Sequence, residues 1–67
     1  MKTHTQTASG KVINLGAIIY IRSKNRVKAR ILHAIESDET LVVKTLSGLT
    51  TSRISVKDVH SFINPIL

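Results

Sequence analysis

The sequence predicts a small all-β domain. Stretches rich in isoleucine, valine and threonine recur at short intervals, polar or glycine-containing segments separate them, and the longest stretch alternates charged with apolar residues. A chain of 67 residues has room for one hydrophobic core and therefore for one domain. It contains no cysteine, so neither disulfides nor cysteine-ligated zinc stabilise the fold, and the core must be aliphatic.

The first residues carry little structural signal. Residues 1–9 are polar and rich in threonine, without hydrophobic periodicity, and we expect them to form a flexible tail. Gly10 separates this tail from a single domain over residues 10–67. Residues 11–14 fit either a short edge strand or a lead-in to the domain, and a turn is expected at residues 14–16.

Two strands are predicted next. Residues 17–22 are dense in β-branched and aromatic side chains, which favours a strand. Residues 23–25 are a polar break, and a second strand is expected over residues 26–35. An acidic turn at residues 36–39 ends this strand and holds three of the four acidic residues of the chain.

A hairpin and a closing strand complete the prediction. Residues 41–46 and 51–56 are rich in β-branched side chains and flank a short segment with a glycine, a pattern typical of a hairpin. The sequence Ser-Val-Lys-Asp at 55–58 has the form of a capping box and predicts one short 3₁₀ turn. The last strand covers residues 59–63 and ends before Pro65, which cannot donate to a sheet.

This layout resembles that of SH3-like barrels. The features that match are the apolar strand at 17–22, the long basic strand at 26–35, the hairpin that follows, and the turn and closing strand at 55–63. In strand order the chain is similar to retroviral integrase C-terminal domains, Tudor domains and KOW domains. The resemblance implies an all-β fold, a small five-stranded SH3-like antiparallel barrel with one short 3₁₀ turn before the last strand.

Departures from the named families narrow the resemblance to the branch of this architecture that binds DNA or RNA. Tyr20 and Phe62 are the only aromatic residues, which is too few for the aromatic cage of Tudor domains that bind methylated side chains. The same shortage excludes the aromatic groove with which SH3 domains bind proline-rich peptides. The glycines of the KOW signature are missing from the first hairpin, where Asn25 stands instead.

The most distinctive feature is a run of alternating cations at residues 22–30. Half of the ten basic residues stand there at every second position, no acidic residue lies among them, and the net charge is +6. In an extended chain this spacing puts cations on one face of a strand and apolar residues on the other. The two sets are Arg26, Lys28 and Arg30 on one face and Val27, Ala29 and Ile31 on the other. The regular spacing and the missing counter-ions favour an anion-binding surface over an ordinary solvated one.

We expect the anion to be nucleic acid, with DNA favoured over RNA. A duplex is favoured over a single strand, because only Tyr20 is available to stack on single-stranded bases. Arginine favours bidentate phosphate contacts, and lysine acts as a point charge. The five cations are expected to line one side of the first hairpin, with Asn25 at its tip as a turn former. The candidate nucleic-acid-binding residues are Arg22, Lys24, Asn25, Arg26, Lys28, Arg30, Lys44 and Arg53, the last two only if they face the same side.

The alternative is a protein-interaction or assembly module. Such a module would bind an acidic partner or self-associate through exposed strand edges, and the small core also suggests a homodimer. Four apolar residues would form an exposed patch for this purpose: Leu15, Leu49, Ile66 and Leu67.

Catalysis finds no support in the sequence. There is no glycine-rich phosphate loop and no nucleophile–base arrangement, and His33 is expected to be a core-edge histidine. We therefore expect no enzyme, no cofactor, no metal and no small-molecule substrate. The N-terminus lacks a secretory signal and the longest apolar run, residues 15–21, is too short to cross a membrane. This indicates a cytoplasmic protein, suited to transcription regulation, nucleoid architecture or an accessory role in a mobile element.

Overall fold

The computed structural model describes residues 2–66, which form seven strands and one 3₁₀ turn. The strands are β1 His4–Gln6, β2 Val12–Asn14, β3 Ile18–Ser23, β4 Arg26–Ile35, β5 Thr40–Lys44, β6 Thr51–Ser55 and β7 Val59–Ile63. The 3₁₀ turn Val56–Asp58 separates β6 from β7. The predictions of an all-β fold and of a short 3₁₀ turn before the last strand are confirmed. Met1 of the predicted tail and Leu67 of the predicted apolar patch lie outside the described residues.

Five of the strands form one antiparallel sheet in the order β6-β5-β4-β3-β7. The first strand of this sheet, β3, therefore lies between the second strand and the last. β1 and β2 form a separate two-stranded sheet. Within residues 2–66 the edge strands β6 and β7 do not pair with each other, so the sheet is open and is not a closed barrel. The same residues contain no helix with the length and hydrophobicity that crossing a bilayer requires.

The hydrophobic core is aliphatic and lies on one face of the five-stranded sheet. In β5 the buried Leu41 and Val43 alternate with the half-buried Val42, as expected for a strand packed on one side. Side chains from β2 and from the β2–β3 connection complete this core. The buried hydrophobic residues are Ile13, Ala17, Ile19, Leu32, Ile35, Leu41 and Val43. We call this side of the sheet the core face and the opposite side the outer face.

The structure places a strand within the segment that the sequence predicts to be a tail. β1 pairs with β2 in the register Thr5↔Ile13, and both of these side chains are buried. The Thr5 hydroxyl donates a hydrogen bond to the carbonyl oxygen of Asp38 at 3.0 Å. This bond offsets the cost of burying the hydroxyl. Threonine is β-branched and favours extended backbone, a local preference that polar composition alone conceals.

The C-terminal end of β7 is tied to β2 by a side-chain amide. Asn64 Oδ1 accepts a hydrogen bond from the backbone N–H of Asn14 at 2.9 Å. Asn64 Nδ2 donates to the carbonyl oxygen of Val12 at 3.0 Å. One side chain thus satisfies a donor and an acceptor of a short strand that would otherwise need water.

The predicted capping box is present at the 3₁₀ turn. Lys57 N donates to Ser55 Oγ and Ser55 N donates to Asp58 Oδ2, each at 3.2 Å. The N–H of Val56 donates to the carbonyl oxygen of Glu39 at 2.9 Å, which attaches the turn to the acidic connection between β4 and β5. The turn therefore lies beside that acidic connection and leads the chain from β6 to β7, at the other edge of the sheet.

Candidate nucleic-acid interface

The β3–β4 hairpin extends past the core as a two-stranded ribbon. Its pairing continues to Ser23↔Arg26, and two residues connect the strands. Residues 22–28 are all exposed, whereas Ile19, further from the tip, is fully buried. Counted from the half-buried Ile21, the ribbon projects by about 10 Å at 3.3–3.4 Å per residue.

The tip of the ribbon presents one cation and one amide. Lys24 has a φ of 53°, in the left-handed region that is unfavourable for residues with a Cβ. The sequence predicts Asn25 as the turn former, but the positive φ falls on Lys24 instead. A shallow open depression beside the turn is lined by these two residues together with Ser23, Arg26 and Lys28. Three of its five lining residues are cations.

The register of the hairpin divides its cations between both faces of the ribbon. Cross-strand partners share a face, so Lys28, the partner of Ile21, lies on the core face. Arg26 and Arg30, two residues away in either direction, lie on the same face. Arg22 is the partner of Val27 and lies on the outer face. The expectation that all five cations line one side of the hairpin is therefore wrong for Arg22.

Loop length explains this difference. A three-residue connection, as the sequence suggests at 23–25, pairs even-numbered residues with even-numbered ones and would put all the cations on one side. The actual two-residue connection, Lys24 and Asn25, pairs even-numbered residues with odd-numbered ones. Because side chains alternate along a strand, this shift of one residue moves Arg22 to the other face.

The cations of β4 continue the core face rather than the solvent face of the sheet. Leu32 follows Arg30 on this face and is buried. Arg30 itself is half-buried, and its Nη1 donates to the carbonyl oxygen of Ala29 at 2.8 Å. The cations of β4 therefore lie on an extension of the core face, beyond the point where the core ends.

A β-bulge changes the alternation further along β4. The register shifts between Leu32 and Ala34, so that Leu32 pairs with Val43 but Ala34 pairs with Val42. His33 is the extra residue, and its side chain is exposed. The prediction of a core-edge histidine is wrong, because a bulged residue does not follow the regular alternation of side chains between the two faces of a strand.

Three of the four acidic residues lie at the end of β4 opposite the basic tip, which we call the acidic end. β4 begins at the basic tip and ends at the connection that contains Glu36, Asp38 and Glu39. The pairing Thr40↔Ser55 places the start of the 3₁₀ turn at this end, whereas Asp58 directly precedes Val59, the partner of Ile21, and therefore lies nearer the base of the hairpin. The ten residues of β4 separate these three carboxylates from the tip, in a molecule whose longest axis measures 27 Å. Exposed charges further apart than the Debye length, about 10 Å at 0.1 M salt, are largely screened from one another, so these three carboxylates neutralise little of the charge at the tip.

The ion pairs of residues 2–66 also lie at the acidic end. Arg53 Nε contacts Glu36 Oε1 at 2.8 Å, and the ammonium group of Lys2 contacts the Asp38 carboxylate. A hydrogen bond from Lys2 and its positive charge lower the pKa of Asp38 below its ordinary value. None of the five cations of the hairpin forms an ion pair with any residue in the described range.

Two candidate residues do not join the cations of β4. Lys44 is the partner of Ile31 and Arg53 is the partner of Val42, so both lie on the outer face. Arg53 is also engaged by Glu36. The sequence left their orientation open, and the register gives them the same face as Arg22.

An apolar strip crosses the outer face of the sheet, which the sequence analysis missed. Ile18 lies between Ile63 and Ile31, and Tyr20 lies beside Ala29. Ile63 is 60% exposed and the other four are half-buried. The alternation within β3 could have indicated it, because a strand with isoleucine at successive positions has apolar side chains on both faces.

The predicted patch of four apolar residues is only partly exposed. Leu15 packs against the core, so its inclusion in the patch is wrong. Leu49, at the β5–β6 connection, and Ile66 are almost fully exposed.

Comparison of the chain with models of known protein families, with curated proteins and with solved structures gives no match. Within residues 2–66, histidine and carboxylate side chains form no group of three or more that could hold a metal ion. The hairpin geometry and its charge are therefore the observations from which a function is argued.

Proposed function

We propose that the protein binds duplex DNA through the cationic β3–β4 hairpin, without a catalytic step. One observation carries this proposal: the hairpin carries four exposed cations and the half-buried Arg30, and none of the five forms an ion pair with a carboxylate among the described residues. Cations two residues apart on one face of β4 lie about 6.7 Å apart along the strand, where like charges repel by roughly 0.6 kcal/mol even in water, so the arrangement costs stability unless a polyanion binds. A nucleic-acid backbone supplies that polyanion.

The mechanism of binding is electrostatic. Arg26 and Arg30 offer planar donor pairs that match phosphate oxygens, and Lys28 between them acts as a point charge. Each neutralised phosphate releases counter-ions and steepens the dependence of log K on log salt by about 0.9. Phosphate contacts carry no sequence information, so we propose binding with little sequence preference. Such binding suits transcription regulation, nucleoid architecture or an accessory role in a mobile element, in the cytoplasm.

We also propose that the five-stranded sheet is an opened SH3-like barrel. The position of β3 between β4 and the last strand supports this assignment, as does the capped 3₁₀ turn immediately before β7. Among SH3-like domains, the nucleic-acid-binding branch is the one that remains once the shortage of aromatic residues has excluded methylated side chains and proline-rich peptides as ligands. A fold does not by itself establish a function, so the proposal of DNA binding depends on the cations.

The apolar strip on the outer face favours a second candidate function, a protein-interaction module. Lys44 and Arg22 stand on the same face as the strip, so an acidic partner with apolar side chains would complement it. This candidate uses the opposite face of the sheet from the cations of β4. Binding of an acidic protein, with no binding to random-sequence DNA, would favour it over the first proposal.

The test is a fluorescence-anisotropy titration with labelled duplex DNA, single-stranded DNA and RNA at two salt concentrations. We expect the tightest binding to the duplex, weakened by salt. The double variant Arg26→Gln/Lys28→Gln should bind the duplex at least tenfold more weakly, since charged hydrogen bonds contribute about 1.5–3 kcal/mol each. The double variant Lys11→Gln/Lys57→Gln is a matched control, because it removes the same charge outside the hairpin.

Equal losses in the two double variants would contradict the proposed site and would indicate that net charge alone drives binding. If the protein bound none of the labelled nucleic acids at low salt, DNA binding would be contradicted and the protein-interaction module would be favoured instead.

A further inference from the structure

We infer that the β3–β4 hairpin enters the major groove of B-form DNA tip first, with one phosphate backbone against each face of the ribbon. This inference rests on the proposed DNA binding and adds the binding geometry and the duplex form. A flat contact with a single backbone would use only one face of the ribbon.

The distribution of charge over both faces is the first observation. Lys28 and Arg26 project from the core face, while Arg22 projects from the outer face, and all three are exposed. A ribbon that lay flat on one phosphate backbone would turn Arg22 away from the DNA. A ribbon between two backbones brings cations of both faces to phosphates at once.

The dimensions of the ribbon are the second observation. It projects by about 10 Å past Ile21, and the major groove is about 8.5 Å deep. A sheet with its side chains is about 10 Å thick, and the groove is about 12 Å wide, enough for a two-stranded ribbon. The minor groove is only about 6 Å wide, and the major groove of an A-form RNA duplex is too narrow and deep for side chains to enter.

The tip chemistry agrees with this orientation. Lys24 and Asn25 are exposed at the end of the ribbon and would reach the floor of the groove. A lysine donates to the acceptors of guanine, and an asparagine amide both donates to and accepts from adenine. Two such residues give at most a weak base preference beside the dominant phosphate contacts.

The test uses the wild-type protein and a duplex in which the cytosines carry a glucosylated hydroxymethyl group at C5. This group fills the major groove and leaves the phosphates and the pairing unchanged. We expect at least tenfold weaker binding than to the unmodified duplex of the same sequence. Netropsin, which occupies the minor groove of A·T-rich duplexes, should not compete.

The outcomes separate the inference from the proposed function. Equal affinity for the modified and unmodified duplexes, or competition by netropsin, overturns groove entry and leaves DNA binding intact. Absence of binding to both duplexes overturns the proposed function together with the inference. Equal affinity for a double-stranded RNA of the same sequence also overturns the inference.

Single substitutions on the two faces give an independent readout. Arg22→Gln and Lys28→Gln should each weaken duplex binding roughly tenfold, because each removes a phosphate contact on a different backbone. An unchanged affinity of Arg22→Gln, beside a weakened Lys28→Gln, would overturn the inference in favour of flat docking on one face.

Discussion

Arg22 of β3 lies directly across from Val27 of β4, and this pairing puts an arginine on the apolar outer face of the hairpin. The neighbouring pair, Ile21 and Lys28, puts a lysine on the core face. The ribbon is therefore cationic on both sides, and its charge surrounds the hairpin rather than forming a flat patch. This relationship decides how the hairpin would meet a polyanion.

The turn at Lys24 should be more stable with glycine. Its φ of 53° costs about 1–2 kcal/mol for a residue with a Cβ, and glycine adopts this conformation freely. We expect Lys24→Gly to raise the melting temperature by several degrees, at about 4–8 °C per kcal/mol. Lys24→Gln is the matched control, since it removes the same charge and keeps the Cβ. A melting temperature of Lys24→Gly at or below that of Lys24→Gln would contradict the turn geometry.

The amide of Asn64 should stabilise the junction between β7 and β2. Asn64→Ala removes two hydrogen bonds to the backbone of β2 and should lower the free energy of unfolding by about 2 kcal/mol. Asn64→Asp keeps the acceptor but removes the donor, so it should lower the free energy of unfolding by less than Asn64→Ala does. Urea denaturation measures both variants, and an unchanged midpoint for Asn64→Ala would show that the junction does not form.

The pKa of Asp38 reports whether β1 is docked. Lys2 lowers this pKa in the folded protein, so the ion pair adds stability above the ordinary pKa of an aspartate. That contribution is lost as the pH falls through the lowered folded-state pKa. We expect Lys2→Gln to return the pKa of Asp38 towards its ordinary value in an NMR titration of the carboxyl group. An ordinary pKa in the wild type would support the flexible tail that the sequence predicts.

Arg53 should contribute little to DNA binding, although the sequence includes it among the candidates. It lies on the outer face and its Nε is held by Glu36 at 2.8 Å, at the acidic end of the sheet. We expect Arg53→Gln to change duplex affinity by less than about threefold, compared with roughly tenfold for Lys28→Gln. An equal loss in both variants, measured by anisotropy, would place Arg53 in the interface.

Much of the fold could be predicted because several local signals agree. The bounds of the strands Arg26–Ile35 and Val59–Ile63 match the prediction, and the capping box at Ser55 forms as its spacing indicates. In these segments β-propensity, turn chemistry and hydrophobic alternation indicate the same structure. The polar strand His4–Gln6 lacked that agreement, since its stability depends on a distant partner, Asp38.

The faces of the sheet could not be predicted to the same degree. One residue of loop length decides where Arg22 points, and one bulge decides the exposure of His33. Both are register effects, and register depends on long-range pairing that local composition does not specify. The cationic run was visible in the sequence, but its division between two faces was not.

The salt dependence of duplex binding tests the central claim most directly. Log K should be measured against log salt for the wild type and for Arg26→Gln/Lys28→Gln/Arg30→Gln. If these three cations contact phosphates, the triple variant should have a slope smaller by about 2.7, at about 0.9 per phosphate, together with a large loss of affinity. An unchanged slope and affinity would contradict the claim that this hairpin binds DNA.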